Sequence, residues 1–106
     1  MRSAKVYFKN SLAGVLTEQD TGLYIFRYTD QWFHDLSKPS ISLTLPKSVI
    51  EFRSPVLFPF FFNMIPEGGN KQRLCVKKRI DTNDYFGILL EVAGGDNIGA
   101  VRVVKQ

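Results

Sequence analysis

The stretch Ala4-Lys5-Val6-Tyr7-Phe8-Lys9-Asn10-Ser11-Leu12-Ala13-Gly14-Val15-Leu16 decides the fold class. Ala4, Val6 and Phe8 fall on one face, with Lys5, Tyr7 and Lys9 between them, which is the period of a half-buried strand. Asn10-Ser11 breaks the alternation and Leu12 to Thr17 resumes it, so a hairpin is expected. A second turn is expected at Asp20-Thr21-Gly22, beyond which Leu23 and Ile25 face one way and Tyr24, Phe26 and Tyr28 the other. The N-terminal part is thus a three-stranded meander.

Residues 29 to 40 are polar and read as a loop with at most one helical turn. Ile41, Leu43 and Leu45 alternate with Ser42 and Thr44, which predicts a fourth short strand closed by Pro46. Downstream the period changes. Ser54-Pro55 suits the cap and first turn of a helix, and Val56 to Ile65 is apolar nearly all round, with Pro59 kinking that helix or marking a later start. Asn70 is placed to cap a basic helix over Lys71 to Arg79, and Thr82 to start another, with Tyr85, Ile88, Leu89 and Val92 on one stripe and Gly94 closing it. Ala100 to Lys105 alternates as a last strand. The predicted order is β-β-β-β-α-α-α-β, an α+β domain whose final strand returns to an antiparallel sheet.

A chain of 106 residues suits one domain over its whole length. Fourteen Lys and Arg against ten Asp and Glu give a net charge of +4, an excess more common as a solubility feature than as a nucleic-acid footprint. No apolar run approaches the roughly 20 residues of a spanning helix, and the N-terminus lacks a signal-peptide core. The single cysteine, Cys75, suits a reducing compartment, so a soluble cytoplasmic domain is expected. His34 is the sole histidine, which leaves no zinc cluster of usual spacing and no supported nucleophile–histidine pair. Gly94 to Gly99 lacks the Lys-Ser/Thr of a phosphate loop, and no carboxylate pair points to acid–base work. No catalytic residue, metal or cofactor is expected.

Three motifs then line up in order: Ser42-Leu43-Thr44-Leu45-Pro46, Phe61-Phe62-Asn63-Met64-Ile65-Pro66-Glu67-Gly68, and Asp84-Tyr85-Phe86-Gly87-Ile88-Leu89 running into Gly95-Asp96-Asn97-Ile98-Gly99-Ala100-Val101. This pattern resembles the N-terminal subdomain of HipA-type Ser/Thr kinases, the toxins of bacterial HipA/HipB toxin–antitoxin pairs, over roughly residues 4 to 104. A HipA kinase continues into the core that holds its ATP site, whereas this sequence stops at Gln106. It therefore resembles the stand-alone HipS subunit of tripartite HipBST systems. The resemblance implies an antitoxin that restrains a HipT-type kinase, in a complex that includes a HipB-like DNA-binding protein. The alternatives are an N-terminal fragment of a full-length HipA-type kinase, which the Met1 start and the Lys105-Gln106 ending disfavour, and a basic module touching nucleic acid through Lys71 to Arg79.

A domain fused to a kinase core in its relatives must own a docking surface for that core. Five of the nine Phe, namely Phe52, Phe58, Phe60, Phe61 and Phe62, fall within eleven residues, more than one helix face buries in a domain of this size. A split is expected, with some of these rings inward and at least one outward beside Met64 or Ile65. The candidate partner-binding residues are Phe61, Phe62, Met64, Ile65 and Pro66. Family resemblance adds Glu67 and Asp96. Trp32, in a loop with Phe33 and His34, either seats in a partner's groove or covers the sheet edge.

Overall fold

A computed structural model of the chain describes residues 1–94 and 100–106. The elements run β1 (Arg2–Phe8), β2 (Ser11–Glu18), β3 (Tyr24–Tyr28), α1 (Asp30–His34), β4 (Glu51–Ser54), α2 (Pro59–Phe62), α3 (Gly68–Lys78), α4 (Tyr85–Ala93) and β5 (Val101–Lys105). The strands form one sheet in the order β4-β3-β2-β1-β5, each neighbour antiparallel. The α+β expectation holds, and the last strand does return to the sheet, beside β1.

Strands β1 and β2 are joined through Lys9 and Asn10, at φ 48° and 68°. Two positive φ values in a two-residue loop match the right-handed twist of the flanking strands. The ladder slips between Val6 and Tyr7, where β2 carries an extra residue. Val6 is flanked by Gly14 on one side and Val103 on the other, and Leu16 pairs with Phe26. At Gly14 a side chain is excluded: a Cβ would lie 2.6 Å from the Arg27 carbonyl oxygen and 2.7 Å from Cζ of Phe26.

One sheet face supplies Ala4, Val6, Leu16, Phe26, Tyr28 and Val103, all fully buried, and the helices bring Phe61, Phe86, Ile88 and Leu89 into the same core. Removing apolar surface of this kind from water is the main driving term of the fold. The opposite face carries Lys5, Tyr7, Val15, Ile25, Arg27 and Arg102, all half-buried or exposed.

The fourth strand lies elsewhere than the alternation predicts. Residues 41–45 form turns, with Ile41 and Leu45 buried and Leu43 99% exposed. Ser42 accepts from the Thr44 amide at 3.2 Å, and the Leu45 amide donates to the Ser42 carbonyl at 3.1 Å, so local bonds replace a ladder. The Tyr28 hydroxyl pins this segment, accepting from the Ile41 amide at 3.1 Å and donating to the Leu45 carbonyl. The strand beside β3 is β4 instead, where Phe26 pairs with Phe52.

The apolar run also resolves differently. Only Pro59–Phe62 is helical, with Pro59 in the first turn, so Pro59 marks the later start. Helix α3 begins at Gly68, ahead of Asn70, and ends on Arg79 in the left-handed region. Helix α4 begins at Tyr85, where Asp84 rather than Thr82 caps it by accepting from the Gly87 amide at 3.1 Å. A Cβ on Gly87 would meet Oδ2 of Asp84 at 2.3 Å, so a larger residue there would displace the capping carboxylate from its present position. The buried stripe of α4 is Phe86, Ile88, Leu89 and Ala93, with Tyr85 left half-exposed.

Candidate partner-binding surface

Because α2 is so short, the aromatic run cannot bury every ring. Phe58 and Phe61 turn inward, with Phe61 against Phe26 at 5.8 Å and Phe60 at 5.2 Å between centroids. Phe62 turns outward and remains 42% exposed, and Val56, in the extended entry to α2, is 64% exposed. Beside them lies an open apolar groove of about 520 Å³, lined by Val56, Leu57, Pro59 and Phe62 together with Tyr24 and Tyr85. The Phe62 and Tyr85 rings stand 5.4 Å apart at 61°, an edge-on arrangement that holds both in place. Asn63 also lines the groove, and Lys71 extends its Nζ over the outer face of Tyr85 at 5.0 Å.

A charged clamp fixes the part of the lining formed by Tyr24 and Tyr85. The Arg2 guanidinium bonds Glu18 at 2.6 and 2.9 Å and Asp84 at 2.6 and 3.1 Å, and lies over the Phe86 ring at 5.1 Å. Glu18 in turn accepts from the Tyr24 hydroxyl at 3.1 Å. This joins β1, β2, β3 and the start of α4. The hydrogen bond from Arg2 holds the Asp84 carboxyl below the usual carboxylate range, and Asp84 foremost raises the Arg2 pKa. Burial, then the bond to Glu18, pushes the Tyr24 hydroxyl up to about 12.

Among the expected partner-binding residues, Phe62 lines this groove. Met64 and Pro66 are half-buried, and Glu67 is exposed at the cap of α3. Phe61 and Ile65, both offered as partner-binding residues, are buried instead, Phe61 from within α2 and Ile65 from the turn after it, where its amide donates to the Phe62 carbonyl at 3.0 Å. Trp32 is buried as well, not exposed in a loop. It sits in α1, donates its indole N–H to the Pro39 carbonyl at 2.9 Å and packs on Phe8 at 5.7 Å, so its polar atom and ring are both satisfied inside. Asp96 lies outside the described residues. Sequence reasoning missed Val56, Tyr24 and Tyr85. Pro55 and Val56 fall in the stretch expected to be helical, Tyr24 on one unassigned face of a strand, and Tyr85 on the expected apolar stripe of α4. Among the described residues no His, Cys, Asp and Glu side chains group as metal ligands.

The family model of the HipA N-terminal domain matches residues 4–104. The chain belongs to the HipA N-terminal domain family. Its backbone superposes on a solved N-terminal domain of HipA toxin with a TM-score of 0.73 and 31% identity, covering all of this chain and 93% of that one. An uncharacterized protein of Haemophilus influenzae is 34% identical over 107 residues, spanning the whole chain and 94% of that protein. Two Sinorhizobium fredii proteins, "Putative kinase Y4mE" and "Putative kinase Y4dM", are 28% and 32% identical. The chain spans only 25% and 23% of their lengths, so this HipA N-terminal domain corresponds to about a quarter of each.

Proposed function

We propose that this HipA N-terminal domain is a non-catalytic binding module, an antitoxin of the HipS type that docks on a HipT-type Ser/Thr kinase and restrains it. The observation that carries this reading is the groove, which leaves Val56 and Phe62 exposed beside Tyr85. A monomer gains by covering such a cluster, and aromatic anchors seated in a partner are where binding energy concentrates. Two relatives support the kinase as occupant, since in them a matching segment belongs to a much longer chain named as a kinase. The Haemophilus influenzae relative, of nearly the same length, supports a domain that works apart from such a core.

Docking restrains the kinase either by blocking its protein substrate or by holding its nucleotide loop in an unproductive state. The complex includes a HipB-like DNA-binding protein and operates in the cytoplasm, where ATP is available. Among the described residues no helix is long and apolar enough to cross a membrane. The second reading, favoured by the two long relatives, is the N-terminal part of a full-length kinase, in which the same groove meets a covalently attached core.

The test is ATP-dependent phosphorylation by a HipA-like kinase that lacks this domain, assayed with and without the purified chain. Loss of activity at a stoichiometric ratio supports the antitoxin. Binding with unchanged or raised activity rejects it in favour of an accessory subdomain.

A further inference from the structure

Helix α3 presents a second surface of different chemistry. It buries only Cys75, while Gln72, Arg73, Val76, Lys77 and Lys78 are exposed, Val76 by 81%. From Gly68 to Ile80 the chain holds five cations, Lys71, Arg73, Lys77, Lys78 and Arg79, and no carboxylate. Among the described residues Lys78 meets Glu91 at 3.2 Å, whereas Arg73, Lys77 and Arg79 form no ion pair. Arg73 donates only to the Asn70 side chain. Arg73 and Lys77 stand one turn apart on the same face, about 6 Å along the axis.

We propose that this face of α3 binds the phosphate backbone of double-stranded DNA. A basic helix could equally meet an acidic protein, but a protein interface needs an apolar centre inside its charged rim. Among the described residues Val76 is the one large apolar side chain of α3 that stands exposed, Leu74 being packed against the core, and a single valine is too little for such a centre. A phosphate backbone asks for no apolar centre, only for cations in a row with counterions to release. Lys77 and Lys78 also oppose the negative end of the helix dipole, but Arg73 lies too far from that end for this to account for it. Contact of this kind positions a protein on the duplex without reading its sequence.

The experiment is fluorescence anisotropy of a labelled mixed-sequence DNA duplex titrated with the full chain at salt from about 50 to 200 mM. Phosphate contacts from the three cations without an ion pair, Arg73, Lys77 and Arg79, predict a slope of log K against log salt of about −2.7. The Arg73→Glu, Lys77→Glu double variant, with its fold checked by circular dichroism, should lose at least about tenfold in affinity at the low-salt end. A Lys5→Gln variant, altered on the opposite face of the sheet, should stay within about twofold. Absence of salt-dependent binding overturns the proposal, as does an equal loss in both variants. Polyglutamate that displaces the labelled duplex at a lower charge concentration than unlabelled duplex does also overturns it and assigns the face to an acidic protein.

Discussion

Phe61 and Phe62 are adjacent in sequence but part at the surface: the first is fully buried against Phe26, the second 42% exposed against Tyr85. That separation divides stability from recognition within one dipeptide. Phe61→Ala should cost about 3–5 kcal/mol of folding stability, the range for a deleted core aromatic. Phe62→Ala should cost well under half of that, because its ring is 42% exposed and rests on Tyr85 at the surface rather than in the core. Urea denaturation of both variants measures the contrast, and equal losses would place Phe62 in the core.

The clamp among Arg2, Glu18 and Asp84 predicts a pH dependence of known sign. The folded Asp84 pKa is depressed, so its contribution is present above the unfolded carboxylate value near 3.9 and is lost as pH falls through the folded value. Stability should therefore fall below about pH 5, and Asp84→Asn should flatten that fall. Asp84→Ala should also cost about 1 kcal/mol at neutral pH through the lost cap on α4. Thermal denaturation from acid to neutral pH checks both statements.

Gly14→Ala should be among the most damaging small substitutions. The added methyl would meet the Arg27 carbonyl, a backbone atom, as well as the Phe26 ring, so the β2–β3 ladder itself must shift. Overpacking of this kind costs about 1–3 kcal/mol, which calorimetry would record as a fall in Tm of several degrees.

Tyr28→Phe removes a hydroxyl that serves two backbone groups, the Ile41 amide and the Leu45 carbonyl. Leaving buried polar groups unpaired costs about 1–3 kcal/mol. Hydrogen exchange should show faster exchange of the Ile41 amide than of the β1–β2 ladder. Uniform acceleration across the sheet would contradict a local role.

The meander was legible because Ala4, Val6, Leu16, Phe26 and Tyr28 obey a period of two and all face the core. The same rule misled at residues 41–45, where Leu43 alternates correctly yet stands in solvent because Ser42 and Thr44 satisfy the backbone locally. Strand β4 escaped notice for the opposite reason: Glu51-Phe52-Arg53-Ser54 is an edge strand with a single apolar residue, too little for a pattern. The apolar run was correctly expected to divide between inside and outside, and Phe62 was among its candidates. Val56, Tyr24 and Tyr85 were not, since the groove brings β3, the entry to α2 and the start of α4 together at Tyr24, Val56, Phe62 and Tyr85, a juxtaposition made by tertiary packing and absent from any local spacing.

In the proposed complex the groove at Val56 and Phe62 seats the kinase. The most direct measurement is calorimetric titration of the chain and its Phe62→Asp variant into the HipA-like kinase at two salt concentrations. Loss of an interface anchor is worth about 2–4 kcal/mol, so the variant should bind at least about 30-fold more weakly while its circular dichroism spectrum stays unchanged. Wild-type affinity should change little with salt, because the contact is apolar. Unchanged affinity in a folded Phe62→Asp variant would rule out docking through this groove and move the docking surface to another face.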